Sequence, residues 1–111
     1  MTAPDPRGAL VWSPFPDEAS ALEAARTLVT EKLARCGNVL PGVTSVFEWQ
    51  GAIDTAREVG LLLKTRADLL ETAVSRLSRL HPYETPAVLG WICENGAAPT
   101  LAWLGELPEN S

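Results

Sequence analysis

One stretch with a proline at its second and last positions, His81 to Pro86, most constrains how this chain can fold. Each proline fixes its own φ angle and disfavours helical geometry at the residue before it, so a helix cannot continue through the stretch. The stretch also holds the single histidine and the single tyrosine of the chain, His81 and Tyr83. It therefore predicts a stiff loop that is either a helix stop or part of a binding surface.

Two segments repeat apolar residues at helical spacing, which predicts two helices. The first runs from about 17 to 35, and Asp17 or Ser20 can cap it. The second opens at Thr65-Arg66-Ala67-Asp68, a loose form of the capping box, and ends at His81. Its apolar stripe faces one way, as expected of a helix packed on one side.

Four further segments predict strands. Two dipeptides that end in glycine interrupt or join these strands. The strands are residues 8 to 13, about 36 to 49, about 57 to 65, and 88 to 93. Pro41-Gly42 predicts a bulge in the second strand, and Gln50-Gly51 predicts the turn of a hairpin between the second and third. The third strand is apolar almost without alternation, which is typical of a strand covered on both faces.

The order of these elements predicts an α+β, ferredoxin-like antiparallel sandwich. Right-handed crossovers in each strand-helix-strand half put both helices on one side of a four-stranded antiparallel sheet. A short C-terminal helix follows at about 99 to 104, with Pro99 in its first turn. The 111 residues suffice for one core, so we expect a single domain at 8–107 between tails at 1–7 and 108–111.

Composition and charge exclude several partners. The net charge is −5 with no basic run, which disfavours nucleic acid. The apolar run at 59–63 is far shorter than the roughly 20 residues that cross a bilayer, and the first seven residues lack the apolar region of a secretory signal. We therefore expect a cytoplasmic protein. Cys36 and Cys93 are far apart and show no CxxC spacing, so a structural disulfide is not expected.

The predicted sheet carries more large apolar side chains than one copy of the chain can hide. They are Trp12, Phe47, Trp49 and Trp91. Both helices cover the same side of the sheet, so the other side has only the short terminal helix. An uncovered apolar face of this kind predicts self-association.

Five segments match the pattern of the CutA family, known for tolerance to copper and other divalent cations. They are Leu33–Cys36, Asn38–Gly51, Lys64-Thr65, His81–Pro86 and Leu101–Leu104. Over roughly residues 9 to 107 the chain resembles CutA proteins in motif order and spacing. The resemblance implies a homotrimer of ferredoxin-like subunits whose long hairpin reaches its neighbours. It also implies a non-enzymatic role in the response to divalent metal, with metal or a small ligand bound near subunit interfaces.

By the same resemblance, Cys36 is the candidate metal ligand. Copper and zinc sites normally use three or four soft or imidazole donors, and two other positions where some CutA proteins have a thiol carry Ser13 and Arg76 here. Three copies of Cys36 in a trimer could supply the missing donors. The alternative is a packed cysteine without a ligand.

The resemblance further implies a ligand cleft formed by Trp49, Lys64, His81, Tyr83 and Glu84. Each of these residues also has a plain structural explanation. His81 could cap the helix as an imidazolium, Lys64 could end a strand in water, and Trp49 could fill an interface. The sequence alone leaves both explanations open.

The sequence contains no GxSxG, HExxH, GxxxxGK[ST] or GxGxxG motif, which favours a protein that is not an enzyme. Two alternatives to metal tolerance stay open. One is a small-molecule sensor trimer, as nitrogen-regulatory PII proteins are, with a nucleotide or anion beside Lys64. The other is a structural trimer that anchors partners. In that case substitutions at His81 and Tyr83 should alter stability alone.

Overall fold

A computed structural model describes residues 5–109, and within them four strands form one antiparallel sheet. The elements are β1 (Gly8–Phe15), α1 (Glu18–Thr30), β2 (Cys36–Trp49), β3 (Ala52–Arg66), α2 (Leu70–Leu80), β4 (Leu89–Ile92) and α3 (Ala98–Gly105). The strand order is β2-β3-β1-β4, with each neighbouring pair antiparallel. The predicted α+β ferredoxin-like arrangement with a short C-terminal helix is confirmed.

The core lies between the sheet and the layer formed by α1 and α2. Alternate residues of β1 and β3 point into it, including Val11, Phe15, Leu61 and Leu63, and all four are fully buried. Period-two alternation explains this pattern, because every second side chain of a strand faces the same side. Ser13 shares the buried side, and its hydroxyl donates to the carbonyl of Ala87 at 2.7 Å, which satisfies the polar group.

The first helix is shorter than the predicted span of 17 to 35. Asp17 caps it as expected, since its carboxylate accepts the backbone N–H of Ser20 at 2.8 Å. The helix ends at Thr30, and Lys32 adopts a left-handed backbone conformation with φ of 63°. The N–H of Leu33 then returns to the carbonyl of Leu28, so the helix ends in a tight turn rather than another helical turn.

The predicted capping box at the start of the second helix is wrong. Thr65 belongs to β3, is fully buried, and donates its hydroxyl to the carbonyl of Leu33 at 2.8 Å. Asp68 pairs with the guanidinium of Arg66 instead of reaching back to a cap. One turn of 3-10 helix, Ala67–Leu69, precedes α2, and α2 ends at Leu80 as the following proline requires.

The β2-β3 hairpin is longer than the sequence predicts, because β3 begins at Ala52 rather than near residue 57. The predicted bulge is present as a register shift between Leu40 and Val43, and the predicted turn has positive φ at both Gln50 and Gly51. Residues 52 to 56 lack an apolar run. They form a strand because their backbone pairs with β2. That pairing is not visible in their side-chain pattern.

The C-terminal helix covers only one end of the helix-free side of the sheet. A side chain at Gly8 would meet Leu104 at 3.2 Å, which places α3 against the start of β1. The buried guanidinium of Arg66 holds the chain after α3, donating to the carbonyls of Leu107 at 2.7 Å and Pro108 at 3.0 Å. The predicted tails at 1–7 and 108–111 lie partly outside the described residues.

Candidate functional site

The loop after α2 is fixed by the imidazole of His81. Its Nε2 lies 2.8 Å from the carbonyl oxygen of Pro14, and its Nδ1 lies 3.2 Å from the backbone nitrogen of Tyr83. A carbonyl can only accept, so Nε2 carries the proton and Nδ1 accepts from the Tyr83 N–H. The ring also stacks on Phe15 at a centroid distance of 4.0 Å. Both ring nitrogens are thus occupied by backbone groups of this chain.

The same contacts correct the predicted role of His81 as a charged helix cap. Burial lowers the pKa of His81 below its usual value, against the weaker opposing effects of the Pro14 carbonyl and Glu58. The ring bonds to β1 rather than to the last carbonyls of α2. The helix end is closed by the backbone N–H of His81, which donates to Leu77 at 3.0 Å.

Tyr83 connects the loop to the hairpin. Its hydroxyl donates to a carboxylate oxygen of Glu58 on β3 at 2.9 Å, and its ring lies 4.9 Å from that of His81. Burial raises the pKa of Tyr83 to about 12, with further contributions from the Glu58 hydrogen bond and charge. The phenol is therefore neutral and serves as a donor.

The loop and the end of β2 form an open cavity of about 330 Å³ that is lined by Trp49, Tyr83, Glu84 and Thr85. Three of the five predicted cleft residues meet there. His81 does not line this cavity and supports the loop through its bonds to Pro14 and Tyr83. The structure thus brings part of the predicted cleft together.

Lys64 lies elsewhere in the sheet. It is opposite Leu10 on one side and Cys36 on the other in the strand register, and its side chain is half-buried. It is six residues from Glu58 along β3, which corresponds to roughly 20 Å at the rise of a strand. Lys64 therefore lies beside Cys36, the candidate metal ligand, and not beside the cavity.

Cys36, the metal candidate, has few donors around it. Its thiol lies 3.8 Å from the side-chain oxygen of Asn38, and the residue is half-buried. Within residues 5–109 of one chain, no group of three or more His, Cys, Asp or Glu side chains could hold a metal ion. A single copy therefore does not fit a three- or four-donor copper or zinc site.

Sequence reasoning missed Glu58 and Thr85. Glu58 precedes the apolar run of β3 and carries no motif, and its bond to Tyr83 spans 25 positions. Thr85 lies in the proline-bounded stretch that predicted a binding loop. From that stretch the sequence singled out its neighbours Tyr83 and Glu84 but not Thr85.

The described part of the chain contains no helix long and apolar enough to cross a membrane.

Comparison with known proteins identifies the family to which the chain is similar. The model of the CutA1 divalent ion tolerance proteins matches residues 9–107. The chain belongs to this family. A crystal structure of CutA from Xylella fastidiosa is 39% identical to this chain, covers 89% of this chain and 95% of its own, and superposes with a TM-score of 0.85. The structure of a protein described as periplasmic CutA from Archaeoglobus fulgidus is 29% identical, with coverages of 90% and 97% and a TM-score of 0.84.

Among curated CutA relatives, a CutA homolog from Xenopus laevis is 38% identical over 92 residues, or 83% of this chain. The chain spans 61% of the length of that relative and about half the length of two mammalian CutA proteins.

Proposed function

We propose that this protein acts in tolerance to divalent metal ions, copper among them, as a homotrimer that is not an enzyme. We propose further that it binds metal or a small ligand near its subunit interfaces. Family membership supports the general role. The observation that carries the assembly is the large apolar surface that one copy leaves in water.

That surface lies on β4 and on the hairpin. Its large side chains are Val46, Phe47, Ile53, Leu89, Trp91 and Ile92, and between 37% and 72% of each is exposed. Neither α1 nor α2 covers the half of the hairpin that contains its turn. The third helix, α3, packs against the start of β1, away from that turn. Strand alternation puts Phe47 on one face of the hairpin and Val46 and Ile53 on the other. Exposed apolar side chains in this number support association between copies.

Assembly also supplies the donors that one copy lacks. Each chain offers one thiol at Cys36, and a trimer offers three, which is the minimum number for a copper or zinc site. Cys36 lies on β2, the strand whose outer edge is unpaired in a single copy. An edge strand is a place where copies can meet, so Cys36 is well situated for a shared site.

Native mass spectrometry with and without Zn(II) or Cu(II) tests both parts of the proposal. We expect the mass of three chains, and a whole number of ions per trimer that is lost in Cys36→Ala. Cys93→Ala is the matched control, because Cys93 is equally half-buried and is not proposed to bind metal. A monomer would contradict the assembly. Equal metal uptake by Cys36→Ala and the unaltered protein would remove Cys36 from the site.

We propose a cytoplasmic location, which agrees with the two free thiols of the described residues, Cys36 and Cys93. Fractionation of cells that express the tagged protein tests it. Recovery with periplasmic or secreted markers would contradict it.

A further inference from the structure

The cavity lined by Trp49, Tyr83, Glu84 and Thr85 has the wall chemistry of a site for an organic cation. Two of its four lining residues are aromatic, one is a carboxylate, and none is cationic. Its volume of about 330 Å³ lies at the small end of ligand pockets. We propose that it binds a small quaternary or protonated amine, held over the aromatic rings and paired with Glu84.

One aromatic wall of the cavity, the ring of Tyr83, is held in place before any ligand arrives. The Tyr83 hydroxyl is tied to Glu58, and its ring rests against His81. Pro82 and Pro86 restrict the backbone on both sides of the tyrosine. Aromatic rings attract cations through the negative potential of their faces, and a ring that is already fixed loses less freedom on binding.

The charges around the cavity favour a cation over an anion. Glu84 lines the cavity, and Glu58 stands behind the phenol as its acceptor. Burial lowers the pKa of His81, so its imidazole adds no positive charge at neutral pH. Lys64, the cation expected beside an anionic ligand, lies roughly 20 Å along β3 from Glu58. Within one chain, Lys64 therefore supplies no positive charge to an anion at this cavity.

A metal ion fits the cavity poorly. Hard cations such as Ca²⁺ and Mg²⁺ need about six oxygen ligands, and Zn²⁺ needs about four donors. The cavity offers one carboxylate and one threonine hydroxyl beside two aromatic rings. These lining residues suit an organic cation better, because such a cation binds through contact with aromatic rings and needs few oxygen ligands.

The inference gives a ligand class to the small-ligand site of the proposed function, and it depends neither on Cys36 nor on metal. The test is a nuclear magnetic resonance titration of the nitrogen-labelled, assembled protein with tetramethylammonium chloride in the presence of a chelator. The chain has four tryptophans, each with its own indole N–H signal. Trp49→Phe assigns the signal of Trp49. The neutral probe is tert-butyl alcohol and the anionic probe is sodium phosphate, at matched ionic strength.

We expect tetramethylammonium to shift the Trp49 indole signal saturably while Trp12, Trp91 and Trp103 stay unmoved. Trp49→Leu and Glu84→Gln should each weaken binding about threefold to fivefold, as the loss of one exposed cation–π or charge contact does. Glu71→Gln, an equal change at an exposed residue of α2, should leave binding unaltered. Because Glu84 is exposed, its substitution keeps the test valid if Trp49→Leu disturbs folding.

Three results would overturn the inference: equal binding of tert-butyl alcohol, binding of phosphate at this indole, or no shift at Trp49. The readout is separate from the metal proposal. Cation binding should persist in Cys36→Ala, whereas metal uptake without any cation binding would leave the proposed function intact and remove this inference alone.

Discussion

His81 shows how one residue organises the loop that the sequence singles out. Its two ring nitrogens bind the backbone of β1 and of Tyr83, and its ring packs on Phe15. These contacts need the neutral ring, because a proton on Nδ1 would remove the acceptor for the Tyr83 N–H. The residue therefore couples the shape of the loop to its own protonation.

The stability of the protein should fall as the pH is lowered from about 7.5 to about 5. The folded pKa of His81 lies below the unfolded value of about 6.5. The unfolded chain therefore binds more protons in this window, and the stabilisation present above pH 6.5 is lost toward lower pH. Urea unfolding at both pH values should show this loss, and His81→Gln should remove it while lowering stability at pH 7.5 by about 1–3 kcal/mol.

Two carboxylates with lowered pKa values titrate below this window. The pKa values of Asp17 and Glu31 are lowered by the Ser20 and Arg76 hydrogen bonds, so these groups titrate at lower pH. A pH dependence between 5 and 7.5 that survives in His81→Gln would contradict the assignment, since the chain has one histidine.

Tyr83 offers a second residue-scale measurement, because it is the single tyrosine of the chain. Ultraviolet titration of the phenol should give a midpoint near the pKa of about 12. Glu58→Gln should lower the midpoint toward the ordinary value of about 10, and Glu71→Gln should not. An unchanged midpoint in Glu58→Gln would mean that the bond from Tyr83 to the hairpin does not form in solution.

At the scale of elements, the hairpin turn decides the geometry of β2 and β3. Gln50 and Gly51 both have positive φ, at 51° and 82°. Consecutive positive φ angles belong to the turn type whose twist matches that of a β-hairpin. Glycine adopts this geometry freely, and asparagine tolerates it better than glutamine does.

Gln50→Asn should therefore stabilise the protein by about 0.5 kcal/mol, and Gly51→Ala should destabilise it by about 1 kcal/mol. Nothing lies within 4 Å of a side chain added at Gly51, so its effect is conformational and not steric. Gly105→Ala is the matched control, because it is equally open but has no positive φ. Thermal unfolding should show a loss for Gly51→Ala alone. An equal loss for Gly105→Ala would contradict the role of φ.

At the scale of the whole molecule, the sheet is covered on one side by α1 and α2 and is largely bare on the other. Strand register places Trp91 opposite Leu10, and Leu89 opposite Trp12, on the bare side. Trp91 is 47% exposed in the single copy. Burial of such a side chain contributes about 1.5–3 kcal/mol, so the proposed assembly has a clear physical source.

Trp91→Asp should dissociate the assembly, because the carboxylate would be buried between copies without a partner. Leu22→Asp makes a comparable change at a 41% exposed apolar residue of α1, and we expect it to leave the assembly intact. Sedimentation over a range of protein concentrations distinguishes the two variants. Dissociation by Leu22→Asp but not by Trp91→Asp would place the interface on the helix layer instead.

The sequence by itself determined the helix stop before Pro82, the bulge at Pro41-Gly42, the turn at Gln50-Gly51 and the order of strands and helices. These features follow from backbone restrictions and side-chain periodicity, which are local. Only the tertiary structure decided the length of the hairpin, because residues 52 to 56 are held by ladder bonds to β2 and not by their own pattern. It also decided that His81 bonds to Pro14 and Tyr83 to Glu58, since these contacts join positions 67 and 25 residues apart.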